Sequence, residues 1–264
     1  ERSKASLQRV WLYCWHVEGC ISEGVKEVMR ILKLLISIPL LLTKKIIGRI
    51  LRVYKLHILK KEFTVEVTRW FRDKGDETLR VDYPELNEQS IVFDLGGYKG
   101  DFAQAINDKY GCTVYVFEPH PVFYDACMQR FISNDKVVPL NYGLFDKDGK
   151  FILSDNLDAS SFLNPNHQER NGVECEIKEI FNVLKQLGVS NIDLMKINIE
   201  GGEYPILLHM ISENRLSLVD NFQIQFHNFI ENADSLRNEI TEGLLKTHVQ
   251  TWCYTFVWEN WKRK

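Results

Sequence analysis

The sequence predicts an α/β fold: a mostly parallel sheet with helices on both faces, preceded by a helical N-terminal extension. Three observations carry this. From residue 91 onward, short apolar runs rich in Val, Ile and Phe alternate with segments of helical periodicity. The run IVFDLGGYKGDF (91–102) reads as a buried strand, a glycine turn and the first turn of a helix. The charge also changes sign along the chain. Residues 1–61 hold 13 basic and 4 acidic side chains, a net +9, and residues 62–264 hold 20 and 32, a net −12. The expected division is therefore a basic helical extension over 1–61 and a sheet domain over 62–264. At 264 residues, 45% of them hydrophobic and 26% charged, the chain can bury a sizeable core. Its six cysteines (Cys14, Cys20, Cys112, Cys127, Cys175, Cys253) form no C-x-x-C pair, which points to reduced buried thiols in a cytosolic protein rather than a zinc or redox motif.

In the extension, residues 1–27 read as helical, with Trp11, Tyr13 and Trp15 available for packing. Residues 28–61 carry nine basic side chains and no acidic one, which suggests an anionic partner. Only ten residues separate Lys33 from Lys44, and Pro39 interrupts them. That is short of the roughly 20 apolar residues that span a bilayer. Further on, Ile46, Ile47, Ile50, Leu51, Tyr54 and Ile58 share one helical arc, with Lys44, Lys45, Arg49, Arg52 and Lys55 opposite. A basic amphipathic helix suits an anionic membrane surface. It equally suits packing on the body, on a synthase partner or on a second copy in a homo-oligomer. Aromatics do not interleave with these charges and the body is acidic, which argues against nucleic acid. The expected location is the cytoplasm, with peripheral contact at the inner membrane face left open.

The sheet domain reads in order as follows. IVFDL is the first strand, Asp101 to Tyr110 a helix, and TVYVFE the second strand, ending at Glu118. Pro121 opens a helix through Phe131, and KVVPLN is the third strand. FDKDGK turns into FILS. Residues 155–172, rich in Asn, Asp and Ser, predict a long loop of the kind that often covers an active site. IKEIFNVLKQLG predicts a helix stopped by Gly188, IDLMKINI the fourth strand, and EYPILLHMI the next helix. FQIQFH is the fifth strand, SLRNEITEGLLKTH a helix, and VQTWCYTFVW a single final strand. For its aromatics Trp252, Tyr254 and Trp258, and for Trp261, core packing is expected ahead of stacking on sugar rings.

The first strand–turn–helix unit raises the question of which cofactor it holds. Ligands of open α/β sheets sit beyond the carboxyl ends of the strands. The dinucleotide fingerprint G-x-G-x-x-G is not met, because the run is D-L-G-G-Y-K-G with Leu95 at the first glycine position. Asp94 stands at the strand end, where it would repel a pyrophosphate and favour a cation. S-adenosylmethionine carries a sulfonium and an ammonium group and no phosphate. Gly96 and Gly97 would let the backbone approach such a ligand closely. Glu118, 24 residues after Asp94, can accept hydrogen bonds from ribose hydroxyls of either cofactor. Asp94 is thus the residue that favours S-adenosylmethionine over NAD.

The ordered runs DLGGYKGDF, VFEPHP, GLFDKDGK with DASSF, LMKINIEGGEYPIL and IQFH resemble the FkbM-type methyltransferases over about residues 88–230. The resemblance implies a Rossmann-like class I sheet and an S-adenosylmethionine-dependent O-methyltransferase. It implies Asp94, Gly96 and Gly100 at the donor, with Glu118 and Pro119 at the adenosine ribose. Phe102 and Ser161 from the matching runs, and Asn141 at the end of the third strand, join Gly97 as further donor-site candidates. Two positions depart from the family pattern. Asn198 stands where many members have Asp in Lys-x-Asp-x-Glu-Gly, and Gln225 where many have Glu in Glu-x-His. Each replaces an acid by its amide, so no metal is expected there.

By period-two alternation, KINIEGGEY places Lys196, Asn198 and Glu200 on one side of an extended strand, toward an acceptor. Glu203 begins the next helix, where an acid suits the dipole. A hydroxyl acceptor needs a base, and His227 is the first choice because its ordinary pKa lies near neutrality. Glu200 and Glu203 follow. His120, after Glu-Pro, is expected at the surface or beside adenine. The family link to glycans and the basic extension together favour a sugar hydroxyl in a glycan or glycolipid intermediate. A small polyketide-like metabolite, or a non-catalytic partner-binding module, stays open.

Overall fold

The structure, a computed structural model, describes residues 62–154 and 172–264. The basic extension, Ser161 with most of the expected loop, and Cys14 and Cys20 lie outside these residues. The elements run α1 (Glu62–Arg72), β1 (Ile91–Leu95), α2 (Asp101–Tyr110), β2 (Thr113–Phe117), α3 (Pro121–Arg130), β3 (Val137–Leu140), β4 (Gly143–Phe145), β5 (Gly149–Ser154), β6 (Gly172–Glu179), α4 (Ile180–Leu187), β7 (Ile192–Ile197), α5 (Glu203–Ser212), β8 (Val219–Ile224), α6 (Ala233–Thr247), β9 (His248–Tyr254) and β10 (Trp258–Arg263).

The main sheet has seven strands in the order β3-β2-β1-β7-β8-β10-β9. The first five are mutually parallel, and β10 and β9 finish the sheet antiparallel. The chain winds outward from β1 to β3, then returns to place β7 against β1. This is a Rossmann-like sheet with its topological switch between β1 and β7, where ligands bind beyond the carboxyl ends. A second sheet, β4-β6-β5, pairs β6 parallel to β4 and antiparallel to β5.

Alternation along β1 sorts its side chains onto two cores. Phe93 and Leu95 join Phe117, Met195, Ile197, Phe222 and Ile224 under α5 and α6. Val92 joins Val114, Val116 and Leu194 under Phe102, Ala103 and Ile106 of α2 and Cys127 of α3. Each of the Val, Leu, Ile, Met and Phe side chains contributes about 1.5–3 kcal/mol on burial. Caps fix the helix ends. Pro121 opens α3 behind His120, and Gly188 ends α4 in the left-handed region at φ 67°. Gly243 allows α6 to lie close on α5, since a Cβ there would fall 2.5 Å from Ile211.

Several expectations are corrected. Residues 172–179 form β6, so Gly172 is not loop and Ile177–Glu179 are strand rather than helix. Glu179 then caps α4, accepting from the N–H groups of Phe181 and Asn182. The chain does bend into β5 at Asp146–Lys147, but β6 lies between β4 and β5, so they are not a hairpin pair. The single final strand is two, β9 and β10, folded at Thr255–Val257 with Phe256 at φ 58°. Helix α1 was not foreseen. Its Trp70 packs on Trp252 and Tyr254, at centroid distances of 5.9 and 5.2 Å. Tyr254, Trp258 and Trp261 are buried, in line with core packing. Cys112, Cys127, Cys175 and Cys253 are free thiols, and the first three are buried. Among the described residues no helix is long and apolar enough to cross a membrane.

Candidate active site

The carboxyl edge of the sheet carries most of the residues singled out from sequence. Strand register sets Asp94 beside Lys196 and Lys196 beside Gln223. The backbone ladder continues past the strands: Gly96 N–H donates to Phe117 O, Asn198 N–H to Leu95 O, and Gln225 N–H to Ile197 O. The first turns beyond β1, β7 and β8 are therefore held side by side.

On one half of this edge, Asp94 is fully buried and ion-paired with Lys196, Oδ1 to Nζ 2.8 Å. The same ammonium donates to the Gly96 carbonyl at 2.8 Å. Burial lowers the Lys196 pKa, and Asp94 works against that fall. Asp94 is thus not the bare anion that its place in the sequence suggests, because Lys196 already neutralises it. Its other oxygen, Oδ2, is buried without a hydrogen-bond partner among the described residues, as are Asn198 Oδ1 and His120 Nε2. The glycines answer first to the chain itself. Cβ atoms at Gly96, Gly97 and Gly100 would fall 2.0 Å from Asn198 O, 2.1 Å from Val116 Cγ1 and 2.6 Å from Phe131 Cε2. Gly96 and Gly100 also stand at φ 80°, which favours glycine.

Glu118 is buried, with Oε2 accepting from Tyr98 N–H at 2.7 Å and Oε1 from His120 N–H at 2.9 Å. Burial pushes its carboxyl up to about 7, against the pull of those two N–H groups. Asn141 braces the strand end from outside, donating to the carbonyls of Glu118 and Pro119. His120 is buried rather than at the surface, and its Nδ1 accepts from Val122 N–H. Phe102 turns into the core, its ring 5.8 Å from Lys196 Nζ. Tyr98, at φ 50° and half-exposed within the glycine run, was not singled out from sequence, though it lies inside the motif.

On the other half, β7 stops at Ile197 and Glu200 takes φ 49°, so alternation does not carry Lys196, Asn198 and Glu200 to one common side. Instead Glu200, Glu203 and His227 meet. Glu203 is fully buried at the start of α5. Its Oε2 accepts from Gly201 N–H, and its Oε1 from both His227 N–H at 2.8 Å and His227 Nδ1 at 3.0 Å. Tyr204, the next residue, donates its hydroxyl to the His227 carbonyl. Glu200 Oε2 lies 3.5 Å from His227 Nε2, and its side chain is 37% exposed. Burial alone would lower the His227 pKa, but the two carboxylates outweigh it and raise it to about 9. Phe229, half-exposed, sets its ring 5.3 Å from the imidazole. Gln225 lies between buried Ile224 and Phe226 and is itself part-buried.

Comparison with known proteins bears on this edge. The family model described as "Methyltransferase FkbM domain" matches residues 94–244. A Sordaria araneosa protein named methyltransferase sdnD is 27% identical over 179 residues, covering 54% of this chain and 69% of that one. Among solved structures, Aeropyrum pernix fibrillarin with natively bound S-adenosyl-L-methionine aligns with TM-score 0.40 and 10% identity, covering 70% of each chain. A putative rRNA methylase from Clostridium thermocellum aligns with TM-score 0.43 and 9% identity, covering 67% of this chain and 88% of that one.

Proposed function

This chain belongs to the FkbM methyltransferase family, with S-adenosylmethionine as methyl donor, and we propose that its acceptor is a hydroxyl of a sugar in a glycan or glycolipid intermediate. The observation that carries the acceptor reading is the Glu203–His227–Glu200 cluster beside Phe229. An alcohol oxygen is a poor nucleophile until its proton is leaving, so it calls for a base of more than ordinary strength. An exposed aromatic ring next to that base suits the C–H face of a sugar, with hydroxyls directed to the carboxylates.

The donor half fits the cofactor by its chemistry: Asp94 Oδ2 is buried and unpartnered among the described residues, and Glu118 follows β2 with lone pairs to spare. Asp94, Gly96, Gly97 and Gly100 would hold its methionine portion, and Glu118, Pro119 and Asn141 its ribose side. When bound there, S-adenosylmethionine would supply an electrophilic methyl group for transfer to the acceptor oxygen, with S-adenosylhomocysteine as the leaving group. His227, in its neutral form, takes the hydroxyl proton. Glu203 fixes the ring by holding Nδ1–H, and Tyr204 fixes the same residue through its carbonyl. Glu200 then stabilises the imidazolium and orients the acceptor. Holding the acceptor hydroxyl in line with the donor methyl would be the main contribution of these residues to the rate.

The test is methyl transfer from labelled donor to a panel of nucleotide sugars, short glycans and glycolipids, beside hydroxylated polyketides. Label in the sugars supports the reading. Label in the polyketides alone would replace it.

A further inference from the structure

Lys196 makes contacts that its expected role toward an acceptor does not explain. Its ammonium is buried and points back across the sheet. It donates to Asp94 Oδ1 and the Gly96 carbonyl, each at 2.8 Å, and lies 3.4 Å from the Leu95 carbonyl. One side chain of β7 thereby holds three consecutive residues at the end of β1, in addition to the β2 backbone, which pairs with Asp94 and accepts from Gly96 N–H. Around it stand Glu118 just past β2, Arg80 from the segment before β1 and the Phe102 ring. The Asp94 oxygen that Lys196 leaves free has no partner among the described residues.

We propose that Lys196 is the positioning residue of the donor site: it clamps the Asp94 carboxylate and the Gly96 carbonyl in one arrangement, so that Asp94 Oδ2 is presented to the cationic end of the donor. This rests on the donor reading given above. Lys196 touches neither donor nor acceptor and acts through Asp94. It also accounts for how a site with a neutralised aspartate still takes a cation, since the pair is directional, with its positive end buried under the loop and its negative end free.

The obvious variant, Lys196→Met, leaves a buried carboxylate without its counter-charge, which is strongly destabilising. The double variant Asp94→Asn/Lys196→Met removes both charges and is expected to recover thermal stability. Binding of S-adenosylmethionine and S-adenosylhomocysteine is measured by calorimetry on the full chain, in wild type, Asp94→Asn, Lys196→Met and the double variant, with a melting temperature for each. Wild type binds both if the donor reading holds, and failure there overturns that reading alone. The clamp predicts a loss of S-adenosylmethionine affinity of at least tenfold in each single variant. It predicts no larger loss in the double variant than in the singles, and no return of affinity as stability returns. A smaller loss for S-adenosylhomocysteine, which lacks the sulfonium, is expected throughout. Lys196→Met binding as wild type does, or affinity in the double variant returning with its melting temperature, would overturn the proposal.

Discussion

The two halves of the carboxyl edge are built in opposite ways. The half around Asp94 and Glu118 is closed: both carboxylates are buried, one is paired to Lys196, and the other is held by two backbone N–H groups. The half around His227 is open: Glu200 and Phe229 are partly exposed, and Glu200 sits in the left-handed region. A closed half suits one invariant ligand, whose recognition can be written into the fold. An open half suits an acceptor that meets the protein by a side chain here and a ring there. In the proposed function, the shared chemistry falls on rigid strand ends and the particular chemistry on the turns beyond β7 and β8.

The sharpest way to separate the halves is His227→Ala. Loss of the proposed base is expected to lower kcat about 10²- to 10⁴-fold, read by single-turnover transfer, while donor affinity measured by calorimetry holds. A parallel fall in donor affinity would break the division. Next in size is the pH profile. With His227 raised to about 9, kcat/KM rises about tenfold per pH unit from pH 7 and levels near 9. A profile that falls above 9 instead would assign proton acceptance to Glu200, with His227 as its cationic partner. On the closed half, Glu118→Gln costs about 1.5–3 kcal/mol of donor binding, since it removes a charged hydrogen-bond acceptor. Because burial raises Glu118 to about 7, wild-type donor affinity weakens as pH falls below that value, and the Glu118→Gln variant loses this dependence. Calorimetry between pH 5.5 and 8 reads both.

The smallest effect lies away from the edge and serves as a control. His248 is buried, with Nε2 on the Val219 carbonyl and Nδ1 on the Thr247 hydroxyl, and burial holds its pKa below the ordinary 6.5. The unfolded chain then binds the proton more readily, so this contribution to stability is present above 6.5 and is lost as pH falls through the folded value. Melting temperatures at pH 7.5 and 5.5 should diverge by less in His248→Gln than in wild type. The raised His227 has the opposite sign: its stabilisation is full below 6.5 and is lost as pH rises through about 9.

How much of this was legible in sequence differs by level. β1 and α2 have the bounds that their apolar run and glycine turn announce, because local pattern and tertiary burial agree there. β6 was missed because Glu174, Glu176 and Lys178 weaken its strand signal, although Val173, Cys175 and Ile177 alternate with them. The C-terminal hairpin was missed because its turn carries no glycine, and Phe256 adopts φ 58° instead. At the site, residue types were readable but pairings were not. Asp94 and Lys196 lie 102 positions apart, and only the β1–β7 register joins them. The meeting of Glu200, Glu203 and His227 likewise depends on β7 ending at Ile197, which alternation carried too far.

The second sheet holds one more consequence. Ser154, the last residue of β5, pairs across the ladder with Gly172, the first of β6. Whatever chain joins them starts and finishes at a single rung. Its two ends are pinned whatever its length, and doubling that length adds only about 0.6 kcal/mol of closure entropy. The β5–β6 connection is therefore the natural place to graft, lengthen or exchange sequence with the least disturbance to the strands that carry Asp94, Lys196 and His227.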